Sequence, residues 1–300
     1  MIEQTEKYGV SCWKLDGFAL EPCENEKHDH LCGGKYDMYY VNEQWHRFVD
    51  VFKRYRASGE KAAQAWINLT CFVNPSPFWL QWVNSVWIQN SDDIGFAENQ
   101  EDQSRLDAEI TYRDARYYDA FVKRGYQFPL YAVYNHEPIY AKNAGGKKPL
   151  EYSDEEFERY LFWCAVRGAA LNEMYLSPEM MNDEKCASLS KVMKFQRENY
   201  GILKNAQFIG GDPEENNVYC FVSFSKEGEG IIALRNPTDE EAPLTLTLNR
   251  LMGAPETLEN VRRENVYCKS LAENDKVYSY NDKLSVTLHP FEMIIFKLTK

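Results

Sequence analysis

The sequence has no apolar run approaching the roughly 18 residues a membrane span requires, and its first 20 residues lack a basic segment followed by an apolar one. The expectation is a soluble chain with no membrane partner and no export signal. Positive charge is also short. The 34 Lys and Arg are outnumbered by 46 Asp and Glu, a net charge of −12. That balance excludes the clustered cations that displace counterions from a phosphate backbone, so no nucleic-acid partner is expected. The 8 cysteines are scattered along 300 residues without the dense spacing of a disulfide scaffold, which points to free thiols and a cytoplasmic location. Cys23, His28, His30 and Cys32 are zinc-ligand types, but their spacing is not that of a structural zinc site, and no metal is assigned. What the chain does have is aromatic surface. It carries 20 Tyr, 16 Phe and 7 Trp, which fill large cores and also suit a protein that stacks against carbohydrate.

The length exceeds one average domain. Over the first 200 residues short apolar runs alternate with longer amphipathic segments, the pattern of βα units around a parallel sheet. The runs are 8–15, 65–72, 83–89, 128–134 and 174–176, and each closes on polar residues. Helices are expected over 42–57, from 78 onward, and over 106–123, 154–170 and 183–200. Ser153 with its following acids should start the fourth of these, and Gly125 and Gly201 should end two others. After about residue 203 the period falls to two, with strands expected over 218–224, 230–234, 244–248, 277–280, 284–288 and 293–298. The expected organisation is therefore a (β/α)8 TIM-barrel-type catalytic domain over 1–202, of which the last five βα units are present, followed by an all-β antiparallel sandwich over 203–300. A closed barrel takes eight units. The other three are expected upstream or from a complementing N-terminal segment or a homo-oligomeric partner, or else the sheet is open.

Reacting groups in such barrels project from the C-terminal ends of strands. Strand parity puts Lys14 and Asp16 on one face, where the nearby lysine keeps the carboxylate ionised, as a glycosidase nucleophile must be. A structural salt bridge would look the same in sequence. At the third run's end stand Asp92 and Asp93; adjacent carboxylates, helped by burial, can leave one protonated as a general acid, although Ser-Asp-Asp is also a helix cap. Arg113-Asp114, in the middle of an expected helix, reads as a surface ion pair.

The segment Gly9-Val-Ser-Cys-Trp-Lys14-Leu-Asp16-Gly17 resembles the fourth barrel strand of the family 27 and 36 α-galactosidases, and Ser91-Asp92-Asp93-Ile94 resembles their sixth. Asn135-His136-Glu137 and Tyr175-Leu-Ser177-Pro178 fall where their seventh and eighth would lie. The resemblance implies Asp16 as nucleophile and Asp93, or Asp92, as acid/base. Lys14 is expected to donate to sugar hydroxyls and Trp13, Trp79 and Trp82 to stack on sugar or fill the core, with Asn68, His136 and Glu137 as further substrate-binding candidates. Two departures bear on sugar specificity. The fifth-strand loop around Cys71 is not glycine-rich, and Gln89 and Asn90 stand where family 27 has an arginine. The activity implied is exo-acting hydrolysis of terminal α-linked sugars with retention, by two carboxyls about 5–5.5 Å apart and without cofactor. The alternatives are a non-catalytic carbohydrate-binding protein or inactive truncated barrel, and an α-galactosyl transglycosylase.

Overall fold

Ile2–Tyr8 forms helix α1, which Gly9 ends at a φ of 70°. The expected strand from residue 8 therefore shortens to β1 (Cys12–Leu15). The computed structural model describes residues 1–16, 27, 38–70, 76–88, 91–98, 101, 103–143, 150–268 and 276–300. The chain divides into two units, Met1–Gln89 and Asn90–Lys300. Cys23, His28, His30, Cys32 and the loop around Cys71 lie outside the described residues, as do Gln89 and Asn90.

In the first unit, helices α2 (Met38–Arg56) and α3 (Glu60–Gln64) lead into β2 (Trp66–Leu69). A short 3-10 turn, Pro77–Gln81, then precedes β3 (Ser85–Trp87). A longer helix was expected from residue 78; Pro77 at the first position and the Ser76 hydroxyl, which accepts from the Phe78 N–H at 3.3 Å, instead define a five-residue turn. β1, β2 and β3 run parallel, with Cys12 opposite Trp66, Lys14 opposite Asn68 and Leu69 opposite Val86. Ile67, Leu69 and Val86 are fully buried, as hydrophobic β-branched and leucine side chains in a covered parallel sheet should be.

The second unit begins its helices with α4 (Arg105–Tyr118), which continues as a π-helical turn over Asp119–Lys123 until Gly125, at a φ of 63°, stops it. β4 (Val133–Tyr134), β5 (Ile139–Tyr140), α5 (Asp154–Val166), β6 (Tyr175–Leu176) and α6 (Asp183–Leu203) follow. The expected strand over 128–134 reduces to its last two residues because Leu130–Ala132 is a 3-10 turn. Ser153 and Glu156 form a reciprocal capping box at the start of α5. Gly201, expected to stop α6, lies inside it, and the helix runs on to a cap at Lys204.

From β7 (Gln207–Gly210) onward the described strands of the larger sheet are antiparallel. β8 (Tyr219–Phe224), β9 (Gly230–Arg235), β10 (Ala242–Thr247), β11 (Val261–Tyr267), β12 (Val277–Tyr278), β13 (Lys283–Leu288) and β14 (Met293–Thr299) complete the chain. A six-stranded sheet runs β12-β11-β14-β9-β8-β7, and β10 pairs with β13 separately. Residues from both, including Val222, Leu234, Leu246, Leu284, Leu288 and Phe296, share one apolar core. β8 and β9 are buried on both faces. Their other face packs on helices, where Phe221 meets Trp163 at 5.7 Å and Tyr117 at 5.9 Å between ring centroids. β11 was not anticipated: Arg263 occupies an inward position, 5% exposed, with its guanidinium 6.0 Å from the Phe296 ring centre, and this charge hides the strand's period of two.

Candidate active site

Asp16 directly follows β1, and its carboxylate, 57% exposed, lies 3.5 Å from the Lys14 ammonium. The Thr70 N–H donates to the Leu15 carbonyl at 2.9 Å, so the parallel ladder extends to the residue before Asp16 and fixes where the aspartate leaves the sheet. The other candidates of this unit are turned inward. Asn68 is buried; its Oδ1 accepts from the Trp66 indole N–H at 2.7 Å and from the Ser85 hydroxyl. Trp13 is half-buried and donates its indole N–H to the Tyr55 hydroxyl at 2.8 Å. Trp79 is buried against Trp45, with centroids 4.3 Å apart, while its neighbour Phe78 is 49% exposed and meets Trp82 edge-on at 4.5 Å.

In the second unit, Asp92 and Asp93 sit on an irregular loop whose backbone is tied down by α4. Arg113 donates to the Asp93 carbonyl at 2.7 Å, to the Asp92 carbonyl at 3.2 Å and to the Ser91 hydroxyl. The Asp92 N–H donates to the Tyr112 hydroxyl at 2.8 Å. The Tyr112 ring also lies over Gly95, where a Cβ would come within 2.2 Å of it. Glycine is required there because the ring occupies the space of any side chain. The two carboxylates then differ. Asp92 contributes backbone, whereas the Asp93 carboxylate, 66% exposed, lies 3.1 Å from Nε2 of His136. The imidazole is largely buried, and its Nδ1 lies 2.7 Å from the Glu173 carboxylate. Tyr175 packs edge-on against the ring at 5.2 Å.

Beneath this surface line is a buried polar network. Glu137, expected to contact sugar, is 2% exposed and is held by Arg167, with the Arg113 Nε at 3.6 Å. Arg167 also pairs with Asp114 at 2.7 Å, and Asp114 accepts from the Trp163 indole at 2.6 Å and from the Tyr219 hydroxyl. Arg235 of β9 donates to Tyr219 at 2.8 Å, to Thr111 at 2.9 Å and to the Asp107 carbonyl at 3.0 Å. Acids and guanidiniums alternate, which is how buried charges escape the cost of lying unpaired. Glu109 is the exception. It is buried with the hydroxyls of Tyr152 and of Tyr160, the latter at 2.8 Å, and burial, aided by the charge of Glu137, pushes its carboxyl up to about 7. Asp107 is held below the usual carboxylate range by Arg235 and Arg159, against the upward push of its burial.

No protein-family model matches the sequence, and no curated protein matches it. Solved structures do match in shape. A family 27 β-L-arabinopyranosidase from Geobacillus stearothermophilus aligns with all of this chain at a TM-score of 0.55 and 13% identity. A family 36 α-galactosidase from the same organism, solved with raffinose, aligns with 87% of it at 0.53 and 13%. The galactosidase domain of an α-galactosidase–sucrose kinase gives 87%, 0.53 and 12%. The chain has the fold of the family 27 and 36 glycoside hydrolases. It spans 60% of the length of the first of these structures and 31% of each of the others.

Within this glycosidase fold the structure joins Lys14 to Asp16 and Asp93 to His136, both pairs among the sequence candidates. It overturns the surface ion pair expected of Arg113-Asp114. Arg113 is 2% exposed and Asp114 fully buried, because α4 is covered on nearly every side. Sequence reasoning missed Glu173, Arg167, Tyr219 and Arg235. One signal was present: α4 carries Asp107, Glu109, Arg113, Asp114 and Arg116 on several faces, so no rotation of the helix keeps all its charges in water.

Proposed function

We propose that the chain is the C-terminal part of a (β/α)8 catalytic barrel with its antiparallel sandwich domain, belonging to a retaining, exo-acting α-glycosidase of α-galactosidase type. The observation that carries the reading is Asp16 at the end of a parallel strand with the Lys14 ammonium 3.5 Å away, in a chain whose whole length has the glycosidase fold. Asp16 attacks the anomeric carbon, and the bond to the leaving oxygen breaks as that oxygen takes a proton from the acid/base. The same group then removes a proton from the water that opens the glycosyl–Asp16 ester. Asp93 is the acid/base in this scheme, because its carboxylate has a defined side-chain partner in His136. Lys14, its ammonium 3.5 Å from the Asp16 carboxylate, donates to the sugar. Phe78, 49% exposed, offers aromatic surface for stacking, with the half-buried Trp82 edge-on beside it. An α-linked galactoside is the substrate proposed, on the family likeness.

The test is Asp16→Ala on an aryl α-galactoside. Turnover should be lost, and azide should restore it with an inverted glycosyl azide as product. Undiminished hydrolysis by the variant removes Asp16 from the mechanism. The shares of 60% and 31% of the solved enzymes support a second reading, a carbohydrate-binding chain without turnover. Saturable binding of galactose by a protein that hydrolyses no α-galactoside would favour it.

A further inference from the structure

A general acid must hold a proton near neutral pH, and the usual means is burial of the carboxyl, which disfavours its charged form. Asp93 lacks that means, with its side chain 66% exposed. The neighbouring acid does not supply it either, since Asp92 too is exposed. What Asp93 has is an imidazole at 3.1 Å, only 10% exposed, whose other nitrogen lies 2.7 Å from a second carboxylate, 21% exposed. Both ring nitrogens thus lie within ion-pairing distance of carboxylate oxygens, and the imidazolium is the one form of histidine that carries a proton on each. The ring is held in place by the Tyr175 edge on one side, and its chain neighbour Glu137 is anchored by Arg167.

We propose that His136 stores the proton that Asp93 delivers, and that Glu173 positions the imidazole to do so; the proposal rests on Asp93 being the acid/base. In the first half-reaction the Nε2–H bond breaks and the proton passes to the Asp93 carboxylate. The exposed carboxyl rotates and gives the proton to the departing oxygen, which keeps the electron pair of the broken glycosidic bond. This leaves a neutral imidazole and a carboxylate. In the second half-reaction the attacking water loses a proton to Asp93, which returns it to Nε2. The imidazolium is restored, and no other reactant is consumed. His136 and Glu173 act through Asp93 and are positioning residues.

The experiment pairs two readouts. Wild type, Glu173→Gln and His136→Asn are assayed on α-galactosides with a poor alkyl leaving group and with an activated dinitrophenyl one. The expected result is a fall in kcat of about 100-fold for the poor leaving group, the scale of general acid catalysis. The activated substrate, which needs no proton, should stay within a few-fold, and KM should change little for either. Equal losses on both substrates overturn the proposal, since a merely structural role does not distinguish leaving groups. The second readout needs no turnover. Nitrogen NMR of histidine-labelled protein should show both His136 nitrogens bearing protons, with Nε2 shifting in Asp93→Asn and Nδ1 in Glu173→Gln. His136 nitrogens that ignore both substitutions overturn the proposal even in an active enzyme. A wild-type protein that turns over no glycoside but gives the expected resonances loses the glycosidase reading and the delivery role, while keeping the ion-paired triad. Glu173→Gln carries the test if His136→Asn unfolds.

Discussion

The two candidate carboxylates are held in opposite ways. Asp16 directly follows a parallel strand, with the Lys14 ammonium, two residues away in the chain, 3.5 Å from its carboxylate. Asp93 stands on a loop bound by Arg113, which is bound to Glu137, which is bound to Arg167, which is bound to Asp114. A regular strand needs nothing further to aim its last side chain, because the ladder has already fixed the backbone. An irregular loop has no ladder, so its carbonyls must be satisfied by side chains sent from elsewhere. Hence the buried Arg113 guanidinium binds the carbonyls of Asp92 and Asp93.

The sharpest way to break this contrast is Arg167→Met, which leaves Glu137 and Asp114 buried without their shared cation. Denaturant unfolding should show a loss of about 3–5 kcal/mol. A near-neutral result would mean that the network contributes little to holding the loop. Gly95→Ala should cost about 1–3 kcal/mol, because its Cβ meets the Tyr112 ring at 2.2 Å. Adding Tyr112→Ala should recover part of that loss in a double-mutant cycle.

The third prediction concerns pH. Glu109 is raised in the folded chain to about 7 from 4.5, so between those values the native state holds a proton that the unfolded state has released. Its contribution to stability is therefore level below about pH 4.5, falls as pH rises toward 7, and is level again above. The slope is limited by one proton's linkage, of order 1 kcal/mol per pH unit. Unfolding measured across that range should show the decline, and Glu109→Gln should flatten it. Asp107 works in the other direction: its carboxyl is depressed, so its stabilisation is present above the ordinary carboxylate range and is lost only in stronger acid. Smallest of all is Asp16→Asn, expected to change stability by no more than about 0.5 kcal/mol, since its ion pair with Lys14 is exposed. A greater loss there than for Gly95→Ala would erase the distinction between the two sites.

Much of the framework was readable because it is local. The capping box at Ser153 spans three residues, the helix stop at Gly125 needs only one, and the Lys14–Asp16 pair follows from strand parity. Expectations failed where a local signal met a distant partner. Gly201 looked like a helix end, but α6 continues through it. β11 was hidden by an inward arginine that finds Phe296, 33 residues later, to cover it. Trp13, Asn68 and Trp79 were offered to substrate, and each is engaged with its own unit through Tyr55, Ser85 and Trp45.

The alternation of strands and helices and the change of period near residue 203 can be read from the chain alone. Those are patterns of near neighbours, written in a window of a few residues. That Asp93 rather than Asp92 meets an imidazole, and that Arg113 and Asp114 lie inside, follows from contacts between distant residues. The Asp114–Tyr219 contact joins residues 105 apart and the Arg113–Ser91 contact residues 22 apart. A buried charge can be placed only by knowing what surrounds it, because its cost depends on a partner that the local sequence does not name.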